Sequence, residues 1–130
     1  MGMIKPKIIS VIACENFMKG ADGRVSLLGL LRKFNTDSLP VTLSNVYVYL
    51  NLGFGEGRMD LSMRIIDPVG DVHYSLPEPY EIYFDNPSET SKIVINIPNI
   101  TFKLSGTYIL EFLINDELLS ADFQFEVLQT

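Results

Sequence analysis

The stretch DGRVSLLGLLRKF, Asp22 to Phe34, supports two periods that lead to different proteins. Leu27, Leu31 and Phe34 fall at helical spacing, which would make an amphipathic helix for a membrane or a partner. Val25, Leu27, Gly29 and Leu31 also alternate with Ser26, Leu28 and Leu30, which makes a strand with one inward face. Gly29 would cost a helix about 1 kcal/mol relative to Ala, and no cap in the stretch calls for a helix. The segments on both sides alternate as strands, and agreement between neighbours favours the second reading. The stretch therefore predicts a central strand of a β-sandwich, with Gly29 marking a bulge or a close approach of another group.

Working outward, the clearest alternation is RMDLSMRII, where Met59, Leu61, Met63 and Ile65 point one way and Asp60, Ser62 and Arg64 the other. It runs into DPVG, Asp67 to Gly70, a turn with Asp first, Pro presetting φ and Gly free to close it, and DVHYSL is the return strand. In GTYILEFLINDELLSADFQFEV, Tyr108, Leu110, Phe112 and Ile114 share one face of a strand, and Phe123, Phe125 and Val127 share one face of the next. Asn115 to Glu117 is the hairpin turn, because Asn and Asp tolerate the left-handed region. KIISVIAC, NVYVYLNLGF and KIVINI complete about seven or eight strands at sandwich spacing. No repeat, linker or low-complexity tract interrupts them, so residues 1–130 read as one all-β domain: a single antiparallel sandwich, immunoglobulin-like or C2-like, with Greek-key connections. Met1-Gly2 read as residues left by cloning, with Met3 the natural start.

SGTY, Ser105 to Tyr108, places a tyrosine near the start of the penultimate strand, where a tyrosine corner would bond back to upstream backbone. The absence of Trp and the single cysteine exclude an antibody-type domain. The order ACEN, GRVSLLGLL, LP before an aromatic strand, RIIDPVGDV and SGTYILEFLINDELL resembles a family of small, uncharacterised bacterial proteins predicted to be β-sandwiches. The resemblance spans nearly the whole chain and implies a fold but no activity, cofactor or site residue; members often carry Asp where this chain has Glu15.

Composition narrows the function classes. Ten Lys and Arg against 16 Asp and Glu give a net charge of −6, with the cations scattered except at Arg32-Lys33. Clustered cations are what phosphate backbones and anionic lipids attract, so neither nucleic acid nor membrane is expected as a partner. One cysteine, Cys14, allows no intrachain disulfide and no Cys-based zinc site, which fits a reducing cytoplasm. No apolar run reaches the ~18 residues of a membrane span, and the N-terminus lacks the form of a signal peptide. Pro6 stands where a myristoylation motif at Gly2 wants Ser or Thr. The sequon Asn99-Ile100-Thr101 matters only in a secreted protein.

The chemistry-bearing residues are few. His73, the sole histidine, reads as a solvated residue on the return strand. Cys14 continues Ile8, Ser10 and Ile12 and reads as an inward-facing small hydrophobe without a base beside it. Asp67 and Asp71 flank the DPVG turn and, with Asp22, Asp85 or Asp116 from other loops, are the weak candidates for calcium, although no D-x-D pair is present. GFGEG and KGADG lack the Gly-Lys-Ser/Thr ending of a phosphate loop. Tyr47 and Tyr49 share the face opposite Val46, Val48 and Leu50, and PEPYEIYFDNP adds Tyr80, Tyr83 and Phe84 in an irregular, proline-bracketed segment. These five aromatics are the candidate interaction surface, the competing reading being second-layer core or edge cover. The expectation is a non-catalytic module with no cofactor and no metal, acting through that surface or an open sheet edge on a protein partner or as a homodimer. A calcium- or glycan-binding sandwich is the alternative, and a hydrolase comes third.

Overall fold

The computed structural model describes residues 3–130, so the reading of Met1-Gly2 lies outside the described residues. Ten strands follow in order: β1 (Lys7–Lys19), β2 (Val25–Leu30), β3 (Lys33–Thr36), β4 (Val41–Gly53), β5 (Gly57–Ile66), β6 (Val72–Ser75), β7 (Tyr80–Phe84), β8 (Thr90–Phe102), β9 (Gly106–Ile114) and β10 (Glu117–Gln129). One sheet has the order β2-β1-β4-β8, the other β3-β10-β9-β5-β6, with β7 also pairing β5. All pairings are antiparallel except β3 with β10, which is parallel. The all-β class agrees with the sequence reading, but ten strands in two sheets replace the seven or eight expected of a single sandwich.

Period-two alternation builds the core. Val46, Val48, Leu50 and Leu52 of β4 and Ile95 and Ile97 of β8 are almost fully buried against Met59, Leu61, Met63 and Ile65 of β5 and Leu110, Phe112 and Ile114 of β9. Each such side chain contributes about 1.5–3 kcal/mol by leaving water. The hairpin between β9 and β10 turns on Asn115 (φ 49°) and Asp116 (φ 66°), both left-handed as a two-residue turn of this type requires. At DPVG the Asp67 carboxylate accepts the backbone N–H groups of Val69 (3.0 Å) and Asp71 (2.9 Å), and Gly70 has φ 92°.

The Asp22–Phe34 stretch holds two strands, β2 and the start of β3, and neither is central. β2 forms the edge of the four-stranded sheet, which leaves Val25, Leu28 and Leu30 exposed. It then changes sheets within two residues: Leu31 donates its N–H to Ala13 O of β1 (2.8 Å), and Arg32 O accepts the N–H of Glu126 on β10 (2.8 Å). β3 continues beside β10, so the expected single inward-facing strand is two short edge strands joined by a crossover. Gly29 lies just before the crossover at φ 68°, where a side chain is strained, and a Cβ there would approach Glu15 Oε2 to 2.9 Å.

Three local readings change with the pairing. The sequence reads Tyr80–Phe84 as irregular, but β7 is a regular edge strand whose register sets Phe84 opposite Gly57 and Ile82 opposite Met59. Phe84 is therefore core, 1% exposed, and leaves the candidate surface. His73 falls where the β5–β6 register shifts, Ile65 pairing with Tyr74 and Ile66 with Val72. The extra residue is re-aimed, and the His73 ring, half-buried rather than fully solvated, stacks on Phe102 (centroids 5.6 Å, 16°) and meets Tyr108 at 70°. Cys14 is fully buried but stands opposite Tyr47 on β4, outside the core cluster, because it is Ala13, opposite Val48, that faces inward.

Candidate functional site

One end of the molecule is closed by aromatic rings. Tyr108 stacks on Phe125 (5.5 Å, 7°) and meets Phe102 edge-on at 5.0 Å. Its hydroxyl donates to Leu104 O at 2.8 Å, the upstream backbone bond that SGTY predicts. Gly106 makes room for this corner, since a Cβ there would come within 2.9 Å of Pro68 in the DPVG turn. Burial pushes the Tyr108 phenol pKa up, and the nearby Asp67 carboxylate adds to the rise.

The chemistry-bearing residues are dispersed. Burial raises the pKa of the Cys14 thiol, which disfavours a thiolate nucleophile. Carboxylates are engaged in ion pairs: Glu111 with Arg64 (2.8 Å), Asp22 with Arg24 (3.2 Å), Glu81 with Arg58 (3.5 Å) and Glu117 with Lys5. Among the described residues, no three His, Cys, Asp or Glu side chains gather as a metal site, and Asp67 holds backbone N–H groups instead.

The five expected surface aromatics do not share one patch. Tyr47 and Tyr49 stand half-buried on the outer face of the four-stranded sheet, where Phe17 meets Tyr47 edge-on at 5.0 Å. Tyr83 is exposed beside Arg58 on the edge strand β7. Tyr80 joins Tyr74, Pro77, Pro79 and Pro98 around an open cleft of ≈680 Å³ between the β6–β7 connection and β8.

A smaller but more enclosed concavity lies elsewhere, on the side where β1 and β10 face each other. β1 bonds β4 over Lys7–Cys14 and β2 from Cys14 to Lys19, so its first half has one sheet neighbour. β10 gains β3 as a second neighbour at Glu126. Between these two bare edges runs a slot of ≈450 Å³ that reaches core side chains, with Val11, Ala13, Leu31, Leu110, Phe123 and Phe125 as apolar walls and Arg32, Asp122 and Gln124 as polar ones. A hollow of ≈220 Å³ bounded by Pro6, Ile8 and Leu119 shares Asp122 and Phe123 with it and carries the trough towards the start of β1. Beyond the other end, Arg32 and Lys33 border a third hollow with Phe125. The strand β10 is bulged between Leu118 and Phe123, a feature that re-aims side chains beside such openings. The sequence reading missed the slot; its one local trace is the pair Arg32-Lys33 closing an apolar run.

A family profile described as a family of unknown function, DUF6941, matches residues 9–127, and the chain belongs to that family. No curated protein matches the chain. Among solved structures the chain is similar to Pseudomonas fluorescens alkylpurine DNA glycosylase AlkC bound to DNA containing an abasic site analog, at 12% identity and a TM-score of 0.45. The likeness covers 91% of this chain and 30% of that one. That neighbour is a DNA-bound enzyme, which stands against the expectation of a protein-binding or self-associating module without a nucleic-acid partner, and that expectation is withdrawn. A likeness of this degree assigns the chain no activity of its own. Among the described residues no helix is long and apolar enough to cross a membrane.

Proposed function

We propose that the chain is a non-catalytic, immunoglobulin-like domain of the cytoplasm that holds a small apolar molecule in the slot between β1 and β10. The observation that carries this reading is the slot itself: a preformed concavity of ≈450 Å³ that reaches the core, lined by apolar side chains together with Arg32, Asp122 and Gln124. That volume and lining are those of small-molecule sites, which range over about 300–1,000 Å³. The dispersal of carboxylates into ion pairs and turns supports a role without catalysis. The Tyr108 corner on the penultimate strand supports the immunoglobulin-like arrangement, and a lone buried thiol suits a reducing compartment.

The test is ligand-observed NMR with p-xylene and dodecan-1-ol on the wild-type chain and on Ala13→Leu. Ala13 lines the slot, so the larger side chain fills the volume an apolar guest would take. Saturable binding to the wild type that Ala13→Leu abolishes, with the variant still folded, is the expected result. Absence of saturable binding by either compound, or equal binding by wild type and variant, defeats the reading.

A further inference from the structure

Resting on the slot as a binding site, we infer that its ligand is an amphiphile with one alkyl chain and one anionic head, a medium-chain fatty acid, oriented by Arg32. The first ground is shape. The slot and the hollow that shares Asp122 and Phe123 with it adjoin along β10, between the crossover at Leu31-Arg32 and the segment Pro6, Lys7 and Ile8. An extended alkyl chain fills such a trough, whereas a compact ring leaves its far end empty. The second ground is charge. In a chain with net charge −6, the one adjacent pair of cations, Arg32-Lys33, stands at one end of this apolar trough.

Arg32 is available for an external anion. Its backbone carbonyl is taken by Glu126 N–H, which fixes the crossover, while its guanidinium makes no ion pair among the described residues. The other arginines, Arg24, Arg58 and Arg64, each pair with a carboxylate. A guanidinium matches a carboxylate with two parallel N–H donors, so it selects an acid head over an alcohol of equal length. Asp122 lines the same slot and Glu126 borders the adjoining hollow, and both oppose an anion. The acid's affinity therefore depends on Arg32 and Asp122 in opposite directions, a pattern that non-specific adsorption of a detergent-like molecule does not produce.

The experiment is isothermal titration of the full chain with dodecanoate and dodecan-1-ol, both below the concentrations at which they aggregate, at pH 7.5 (about three units above a carboxylate's ordinary range). Dodecanoate is expected to bind one to one and up to about fivefold more tightly than the alcohol, the upper end of the scale of one solvent-screened ion pair. Arg32→Gln removes that difference, and Asp122→Asn tightens dodecanoate while leaving the alcohol unchanged. Both residues line the rim rather than the core, and melting curves verify that both variants fold. Equal affinity for acid and alcohol overturns the anionic head, and an acid preference that survives Arg32→Gln overturns its orientation by Arg32, while the apolar slot stands in both cases. If neither compound binds, the slot reading falls as well.

Discussion

Replacing Tyr108 with Phe isolates one hydrogen bond in the aromatic end of the molecule. The ring is fully buried, stacked on Phe125 and edge-on to Phe102 and His73, and Phe preserves all of these contacts. What is lost is the 2.8 Å bond to Leu104 O, which leaves a partly buried carbonyl without its donor. Such a loss costs about 1–2 kcal/mol. For a chain of 130 residues the unfolding entropy near the midpoint is about 0.27 kcal/mol/K, so Tm falls by about 4–7 °C. A second readout comes from alkaline pH. Burial, with Asp67 adding to it, raises the Tyr108 pKa in the folded chain above its ordinary value near 10. The folded state thus holds the phenolic proton more tightly than the unfolded state does. That contribution is fully present below about pH 10 and is lost as the pH rises through the folded value. Circular-dichroism melts from pH 7 to pH 11 (a window spanning the ordinary tyrosine value of about 10) should show Tyr108→Phe less stable at neutral pH and shallower in its alkaline decline. Tyr74, also raised by burial, retains part of that decline in the variant. A neutral-pH Tm within about 1 °C of wild type (about 0.3 kcal/mol), with an unchanged alkaline slope, would refute the claim that this hydroxyl fastens the start of β9.

Other substitutions test the pairing and the buried thiol. Gly29→Ala should cost about 1–2 kcal/mol by chemical denaturation, because φ 68° strains any L side chain, and Gly29→Asn should recover part of it; no loss in the Ala variant means the edge strand runs with ordinary dihedrals. Phe84→Ala should cost about 3–5 kcal/mol and Tyr83→Ala less than about 0.5, since the β5–β7 register buries the first and exposes the second; comparable losses would mean that this register is wrong. Cys14 should resist an aromatic disulfide reagent until the chain unfolds, being fully buried with its thiol pKa raised by that burial; rapid labelling of the native protein would place it at the surface.

Where the two faces of a strand differ in polarity, the sequence shows the alternation directly. The inner rows of β5 and β9, the DPVG and Asn115-Asp116 turns and the Tyr108 corner are local facts of composition and spacing. The β1 segment KIISVIAC is different, because apolar residues occupy both of its phases. Which phase faces inward is decided by its register on β4, and that sends Ala13 rather than Cys14 to the core. His73 is turned by a bulge whose cause is the pairing of two strands, and prolines near Tyr80–Phe84 disguised an edge strand, a position that tolerates proline nearby.

The slot lies further still from local pattern. It exists because β1 and β10, more than a hundred residues apart in the chain, each lack a neighbour on the same side of the molecule. A missing neighbour has no residue type and leaves no motif. What the chain does record is where the edge strand changes sheets: Gly29 precedes Leu30-Leu31, and the apolar run ends at Arg32-Lys33 with no Pro to announce a turn. Two adjacent cations after a buried leucine are compatible with a strand that simply emerges into solvent, which is how the period-two reading treats them. Only the crossing from Ala13 O to Glu126 N–H within two residues reveals that the same charges stand at the mouth of an apolar trough.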